Sequence, residues 1–221
     1  MGGPLPRAVL AFALLGGAPA AAATEPGPFV ADEDIERLRE VNEGELAFLP
    51  DMPPALVTRS ELHIAPQSLD DGWVRMAQCQ AGLDAVEAVE IRYDYAALRD
   101  LHIRVREGVR EAWVEGQTVQ LRGVRAGAHV CVGADVRILH RLEDGRYAIR
   151  SGPYHRRFLD GYFPMELQLL IRYPAERLAW TGLEPPPQRG LEVSARTGAV
   201  DIRAYFVGRL TLELRFEEAG E

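Results

Sequence analysis

The amino-acid sequence predicts an all-β protein of the antiparallel β-sandwich type for the part of the chain that follows Pro54. Apolar and polar residues alternate with a period of two, most plainly over residues 89–95, 101–105 and 210–216. This alternation is typical of strands with one face in the core and one in water. Turn signals recur at strand-sized spacing, at Asp71-Gly72, Glu107-Gly108, Glu115-Gly116, Asp144-Gly145, Asp160-Gly161 and Thr197-Gly198.

The first 23 residues have the three-part layout of a secretory signal peptide. A short start with Arg7 precedes an apolar run over 8–17, and small residues then lead to an Ala21-x-Ala23 site. Cleavage is expected before Thr24, and a retained N-terminal anchor is the alternative. We therefore predict a protein of the periplasm or the extracellular space.

A short amphipathic helix is predicted within the lead segment that spans residues 24–54. Asp32 is a suitable N-cap, and Glu33 and Asp34 follow in the first turn, where the helix dipole favours acids. A narrow apolar stripe is formed by Ile35, Leu38 and Val41. We expect this stripe to dock on the β region, with binding to a partner as the alternative.

The sequence is compatible with two domain organisations of the β region. Residues 69–76 and 158–165 share the pattern Asp-Gly-aromatic-x-x-Met, and Ile-Arg-Tyr occurs at both 91–93 and 171–173. A tandem duplication would give a first β domain over 55–143 and a second over 144–221. The alternative is one β-sandwich domain over 55–221 with no repeat.

Charge and cysteine content restrict the partners and the compartment. The chain has 25 basic residues, all arginine, against 33 acidic ones, so its net charge is −8, or −9 once Arg7 is removed. Such a surface repels phosphate backbones and anionic lipid, so we expect no nucleic-acid binding. We also expect no membrane span after signal cleavage. Cys79 and Cys131 are predicted to form one structural disulfide in an oxidising compartment.

The densest group of polar and aromatic side chains lies at residues 154–165. We predict that it binds a ligand through Tyr154, His155, Arg156, Arg157, Asp160 and Tyr162. Adjacent arginines can hold a carboxylate or sulfate, and the tyrosines offer flat faces for a sugar or a peptide. The competing interpretation is a structural turn at Asp160-Gly161, with the aromatic side chains of Phe158, Tyr162 and Phe163 in the core.

No catalytic, metal or cofactor site is predicted. The carboxylates of Asp70, Asp71 and Asp84 are only a weak candidate for a catalytic or calcium site. If the segment is extended, Asp70 and Asp71 point to opposite faces of the strand and do not converge. A copper site of Met76, His129 and Cys131 would need the thiol that the disulfide consumes. The sequence contains no nucleophile elbow, phosphate-binding loop or dinucleotide fingerprint.

These observations predict an exported, non-catalytic binding or envelope-assembly protein whose partner is an envelope protein, a peptide or a carbohydrate. The alternative is a small periplasmic hydrolase acting on glycans, with Asp160 or the group Asp70, Asp71 and Asp84 working beside His155. That enzyme would need two carboxylates about 5 to 9.5 Å apart in a cleft, and one of them would need a raised pKa.

Overall fold

The computed structural model describes residues 44–50, 56–158 and 161–220. The predicted signal peptide and the helix predicted from Asp32 lie outside these ranges, and so does Asp160 of the predicted site. These three features therefore remain predictions. No helix in the described part of the chain is long and apolar enough to cross a membrane.

The described residues form fifteen strands and a single helical turn, and the all-β prediction is thereby confirmed. In chain order the elements are β1 (Ala47–Phe48), β2 (Val57–His63), α1 (Ser68–Asp71), β3 (Trp73–Leu83), β4 (Val86–Arg92), β5 (Leu98–Glu115), β6 (Thr118–Arg137), β7 (Leu139–Arg141), β8 (Tyr147–Tyr154), β9 (Arg156–Phe158), β10 (Gly161–Phe163), β11 (Met165–Arg172), β12 (Leu178–Glu184), β13 (Leu191–Arg196), β14 (Ala199–Val207) and β15 (Leu210–Glu218).

These strands belong to three sheets. The largest has nine strands along the path β14-β11-β2-β3-β6, with β1 and β13 beside β14, and β4 and β5 beside β6. A four-stranded sheet has the order β12-β15-β8-β7, and β9 and β10 form a separate hairpin. The pairing is antiparallel except between β2 and β11, which run parallel, an exception that the sequence pattern did not predict.

The two larger sheets share one hydrophobic core. Its fully buried members include Val74 and Met76 on β3 of the nine-stranded sheet, and Ile149, Leu214 and Phe216 on β8 and β15 of the four-stranded sheet. Two sheets that bury their inner faces against a common core are compatible with the predicted sandwich.

Strand pairing crosses the proposed division at residues 143 and 144. Along the parallel pair, Thr58 of β2 lies opposite Leu167 of β11, and β2 and β3 therefore share a sheet with β11 and β14. Pairing of this kind is more typical of the alternative, one β domain over 55–221. The division into two domains remains a prediction.

The structure departs from the turn predictions at two places. Asp71-Gly72 is the end of α1, a helical turn that the sequence did not predict, and Gly72 caps it with a left-handed φ of 77°. Glu107-Gly108 is not a turn, because it lies within β5, where the register against β6 shifts between Glu107 and Val109. A glycine with positive φ, 73° at Gly108, allows this bulge without ending the strand.

The predicted disulfide is confirmed. Cys79 and Cys131 lie directly opposite each other on β3 and β6, with Cα atoms 4.0 Å apart, and their Sγ atoms are bonded. The sequence separation of 52 residues makes this bond a constraint on a large loop of the unfolded chain. It is consistent with the oxidising compartment that the sequence predicts.

Gly208, in the turn between β14 and β15, allows the backbone of residues 44 and 45 to pack closely against that turn. Its φ is +89°, and a Cβ there would overlap the carbonyl oxygen of Glu45. We expect Gly208→Ala to lower the free energy of unfolding by about 3 kcal/mol, through backbone strain and steric overlap. Gly116→Ala is the control, because Gly116 has a φ of +59° with no atom within 4 Å of a Cβ. Urea unfolding should show a loss of only about 1 kcal/mol there, and equal losses would contradict the overlap.

Candidate ligand-binding cleft

A cleft of about 500 Å³ opens between the nine-stranded sheet and the end of β8. Strands β2, β3 and β4 provide one wall, and residues 152–158 provide the other. Apolar side chains such as Leu56, Leu83, Ile91 and Met165 share this lining with a similar number of polar and charged ones. Such a volume and composition are typical of small-ligand sites.

Three tyrosines and a serine form a polar group in this cleft. Tyr93, Tyr95 and Tyr154 line it, and the hydroxyl groups of Tyr154 and Ser151 are hydrogen-bonded at 2.7 Å. Tyr95 Oη donates to Met76 Sδ at 3.7 Å. Burial raises the pKa of all three tyrosine hydroxyl groups, so they are neutral donors and acceptors at physiological pH.

Tyr93 also lines the cleft, although its side chain is only 4% exposed. Its Oη is not one of the buried polar atoms without a partner, which among the described residues are Ser60 Oγ and Trp180 Nε1. A neutral tyrosine hydroxyl at this position can donate to or accept from a ligand in the cleft.

A second polar group extends along β2 and β3. Thr58 Oγ1 donates to Gln80 Oε1 at 2.6 Å, and Gln80 Nε2 donates to Gln78 Oε1 at 3.2 Å. Gln78 is 5% exposed, and the other end of its amide has no partner among the described residues. This chain of hydrogen bonds therefore ends at the Nε2 group of Gln78 in the cleft. Gln78 follows Val74 and Met76 on the same face of β3, at the point where that face changes from apolar to polar.

Four arginines line the cleft, and two of them are neutralised by nearby acids. Arg156 is paired with Asp84, and Arg92 with Glu90 at 2.9 Å. Arg157 and Arg209 form no ion pair with a described residue, and the Arg157 guanidinium lies over the ring of Tyr162. The cleft thus presents two positive charges that no described acid neutralises, in a chain whose net charge is −8.

The pKa of His155 responds to the charges of Arg157 and Arg209. Desolvation lowers the pKa of His155 from its ordinary value of 6.5, and the positive charges of Arg209 and Arg157 lower this pKa further. The imidazole is therefore neutral at pH 7. Because the unfolded chain binds this proton more tightly than the folded chain, the free energy of unfolding decreases as the pH falls below 6.5.

We expect an NMR titration to give His155 a pKa below 6.5, and Arg209→Gln to raise it, because a repulsive positive charge is removed. Arg215→Gln is the matched control, since Arg215 is an exposed arginine paired with Glu213 and does not line the cleft. An unchanged His155 pKa in Arg209→Gln would place Arg209 too far away to act on a ligand at His155.

Four of the six predicted ligand-binding residues line the cleft, namely Tyr154, His155, Arg156 and Arg157. Tyr162 does not line it; its ring lies 5.8 Å from that of His155, and a Cβ on Gly44 would come within 2.8 Å of it. Asp160 lies outside the described residues. The competing prediction of a core position is wrong for Phe158 and Phe163, which are 55% and 41% exposed.

The carboxylates proposed for catalysis are not gathered in the cleft. Asp70 and Asp71 lie in α1, which packs beside β7, whereas Asp84 lines the cleft and is paired with Arg156. Among the acids that line the cleft, Glu90 has its pKa lowered by hydrogen bonds from Gln120 and Arg92. An acid held in its ionised form cannot serve as the proton donor that glycoside hydrolysis needs.

Several polar residues of the cleft were not predicted from the sequence, and one signal could have found two of them. Val74, Met76, Gln78 and Gln80 occupy alternate positions of β3, so two glutamines stand where the core pattern calls for apolar residues. The pattern had placed Tyr93 and Tyr95 with the core rather than in a site. For Thr58 and Arg209 we find no signal in the sequence.

The sequence matches no known protein family and is not significantly similar to any protein of curated function.

Proposed function

We propose that this chain is an exported, non-catalytic protein that binds a ligand in the cleft between its two larger sheets. The observation that carries the proposal is the cleft of about 500 Å³, whose lining joins apolar side chains to Gln78, Tyr93 and the arginines Arg157 and Arg209. A concave site of this volume with a few converging polar groups is typical of ligand binding.

The ligand carries a carboxylate or a similar anionic group. Arg157 and Arg209 line the cleft without an ion pair to a described acid, and a neutral His155 in the same lining adds a hydrogen-bonding group without a competing charge. Guanidinium groups bind carboxylates through parallel hydrogen bonds. The other end of the ligand meets Gln78 and Tyr93, which suits hydroxyl or amide groups, as in an acidic sugar or a peptide.

Export is supported by two independent features. The first 23 residues have the pattern of a cleavable signal peptide. The Cys79–Cys131 disulfide belongs to an oxidising compartment, such as the periplasm or the extracellular space. The glycan hydrolase is not proposed, because Asp70 and Asp71 lie away from the cleft and Glu90 is held ionised.

The test uses two matched pairs of probes, each measured by calorimetry with the purified chain. One pair is a set of tetrapeptides with free or amidated C-termini, and the other is uronate oligosaccharides with or without reduced carboxyl groups. We expect at least one carboxylate probe to bind, and its neutral counterpart to bind more weakly. Tyr93→Phe should then lower the affinity by about 2- to 10-fold, the value of one hydrogen bond.

A second set of variants tests whether Arg157 and Arg209 account for the preference for a carboxylate. Arg157→Gln combined with Arg209→Gln should abolish the preference for the carboxylate probe and leave the neutral probe unaffected. Arg215→Gln, at an exposed arginine away from the cleft, should change neither. The proposal is wrong if no probe binds, or if Tyr93→Phe and the double arginine variant both bind like the wild-type chain.

A further inference from the structure

The outward face of the nine-stranded sheet holds three metal-ligating side chains side by side. Cys79 and Cys131 are paired across β3 and β6, and His129 lies two residues before Cys131 on the same face of β6. Nε2 of His129 is 3.2 Å from Sγ of Cys131. One ligand atom from each of the three residues lies within 4.8 Å of the others, so the register of the sheet brings the group together.

We propose that reduction of the Cys79–Cys131 disulfide turns this group into a binding site for a thiophilic cation of the Zn²⁺ type. A dithiol reductant supplies two electrons and two protons, which break the Sγ–Sγ bond and give two thiols, and the reductant becomes a disulfide. The cation then displaces both thiol protons and is held by two thiolates and one imidazole. Two sulfur ligands and one nitrogen ligand with an open fourth position are a recognised Zn²⁺ arrangement.

The oxidised protein cannot hold the cation in this way. Thiolates are the ligands of Zn²⁺, and in the disulfide the two sulfur atoms are bonded to each other. Breaking that bond leaves the two strands in place, because β3 and β6 are paired over ten residue pairs, from Trp73 with Arg137 to Leu83 with Ala128. The redox state of the cysteines therefore switches the site on and off without a change of fold.

The surroundings of His129 orient it for this role. Glu107 lies opposite His129 on β5, and its Oε2 is 4.0 Å from Nδ1 of the imidazole. A carboxylate on that side favours the proton on Nδ1 and leaves Nε2 free to face the sulfur atoms, as in many metal sites. The side chain of His129 is about one-third exposed, so a cation can reach it from solvent.

A fourth ligand can come from solvent, because the side chain of His129 is about one-third exposed. Met76, which the copper site of the sequence analysis would have used, lies in the core, where its Sδ accepts from Tyr95.

The test compares the oxidised chain with the chain reduced by a phosphine, which is then removed without air. Each form is titrated with Zn²⁺ against a chromophoric chelator, and with Co²⁺ to detect thiolate-to-metal charge-transfer absorption. We expect the reduced chain to bind one Zn²⁺ and to show this absorption, and the oxidised chain to do neither. His129→Gln should lower the Zn²⁺ affinity by more than the roughly 10- to 100-fold that loss of an outer contact costs, and Glu107→Gln by about tenfold.

Two controls keep the outcome decisive. His140→Gln changes an exposed histidine on β7 and should bind Zn²⁺ like the wild-type chain. If the reduced chain unfolds, Zn²⁺ should restore its far-ultraviolet circular dichroism, because the three ligands are adjacent only in the folded sheet. The proposal is overturned if reduced wild type binds no Zn²⁺, if His129→Gln binds it equally well, or if an unfolded reduced chain does not refold with Zn²⁺.

Discussion

Replacing both Cys79 and Cys131 by alanine is expected to lower the free energy of unfolding by about 4 kcal/mol. The two residues are 52 positions apart, and the bond between them removes the entropy that a loop of this length gains in the unfolded chain. Because domains of this kind are stable by only about 5 to 15 kcal/mol, a loss of this size is a large share of the total.

Urea unfolding of the double alanine variant and of wild type, with and without reductant, measures this effect. If loop entropy is the cause, reduced wild type and the double variant should unfold at similar urea concentrations, both well below that of the oxidised protein. A decrease of less than about 1 kcal/mol would show that the unfolded chain is already compact around these strands.

Phe216→Ala is expected to lower the free energy of unfolding by about 3 to 5 kcal/mol. Phe216 is fully buried on β15, lies opposite Trp180 of β12 and Tyr147 of β8, and packs edge-on against Tyr173 at 5.3 Å between ring centroids. Removing the ring leaves a cavity at the centre of the four-stranded sheet, and paired strands on both sides prevent β15 from moving in to fill it.

Phe158→Ala is the matched control for Phe216→Ala, because it removes the same ring from a position that is 55% exposed. Its free energy of unfolding should change by less than about 0.5 kcal/mol. Similar losses for the two variants would mean that the core is not centred on β15. The comparison should be made at the same pH, above 6.5, so that protonation of His155 does not contribute.

The alternation of side chains predicted strands within residues 89–95 and 101–105, where β4 and β5 lie, because it depends only on neighbouring residues of one segment. It also predicted that residues 210–216 form a strand with one buried face, and β15 confirms this with Leu210, Leu212, Leu214 and Phe216 all fully buried. Pairing between distant strands has no such local signal. The parallel neighbours β2 and β11 are more than 100 residues apart, and no residue pattern within either segment indicates that the two strands pair.

The candidate site was predicted in part for the same reason. The segment with Tyr154 and Arg156 stood out by its composition, which is a local property. The opposite wall comes from β2, β3 and β4. Buried positions and cleft-lining positions share one face of a strand, so alternation alone does not distinguish them. The glutamines at 78 and 80 interrupt that face of β3 with polar groups, and the pattern of β3 contains this information.

The parallel pairing of β2 with β11 sets an order of events for a newly made chain. Residues 57–63 cannot gain that neighbour until residues 165–172 have emerged, so for most of synthesis β2 has only β3 beside it. Pairing between strands that are distant in sequence slows folding, so the incomplete chain stays partly unfolded for longer. A chain interrupted before β11 would present an open strand edge and half of its core to the surroundings, which makes it prone to aggregation. Residues 165–207, which contain β11 and β14, therefore complete the nine-stranded sheet on that side of β2.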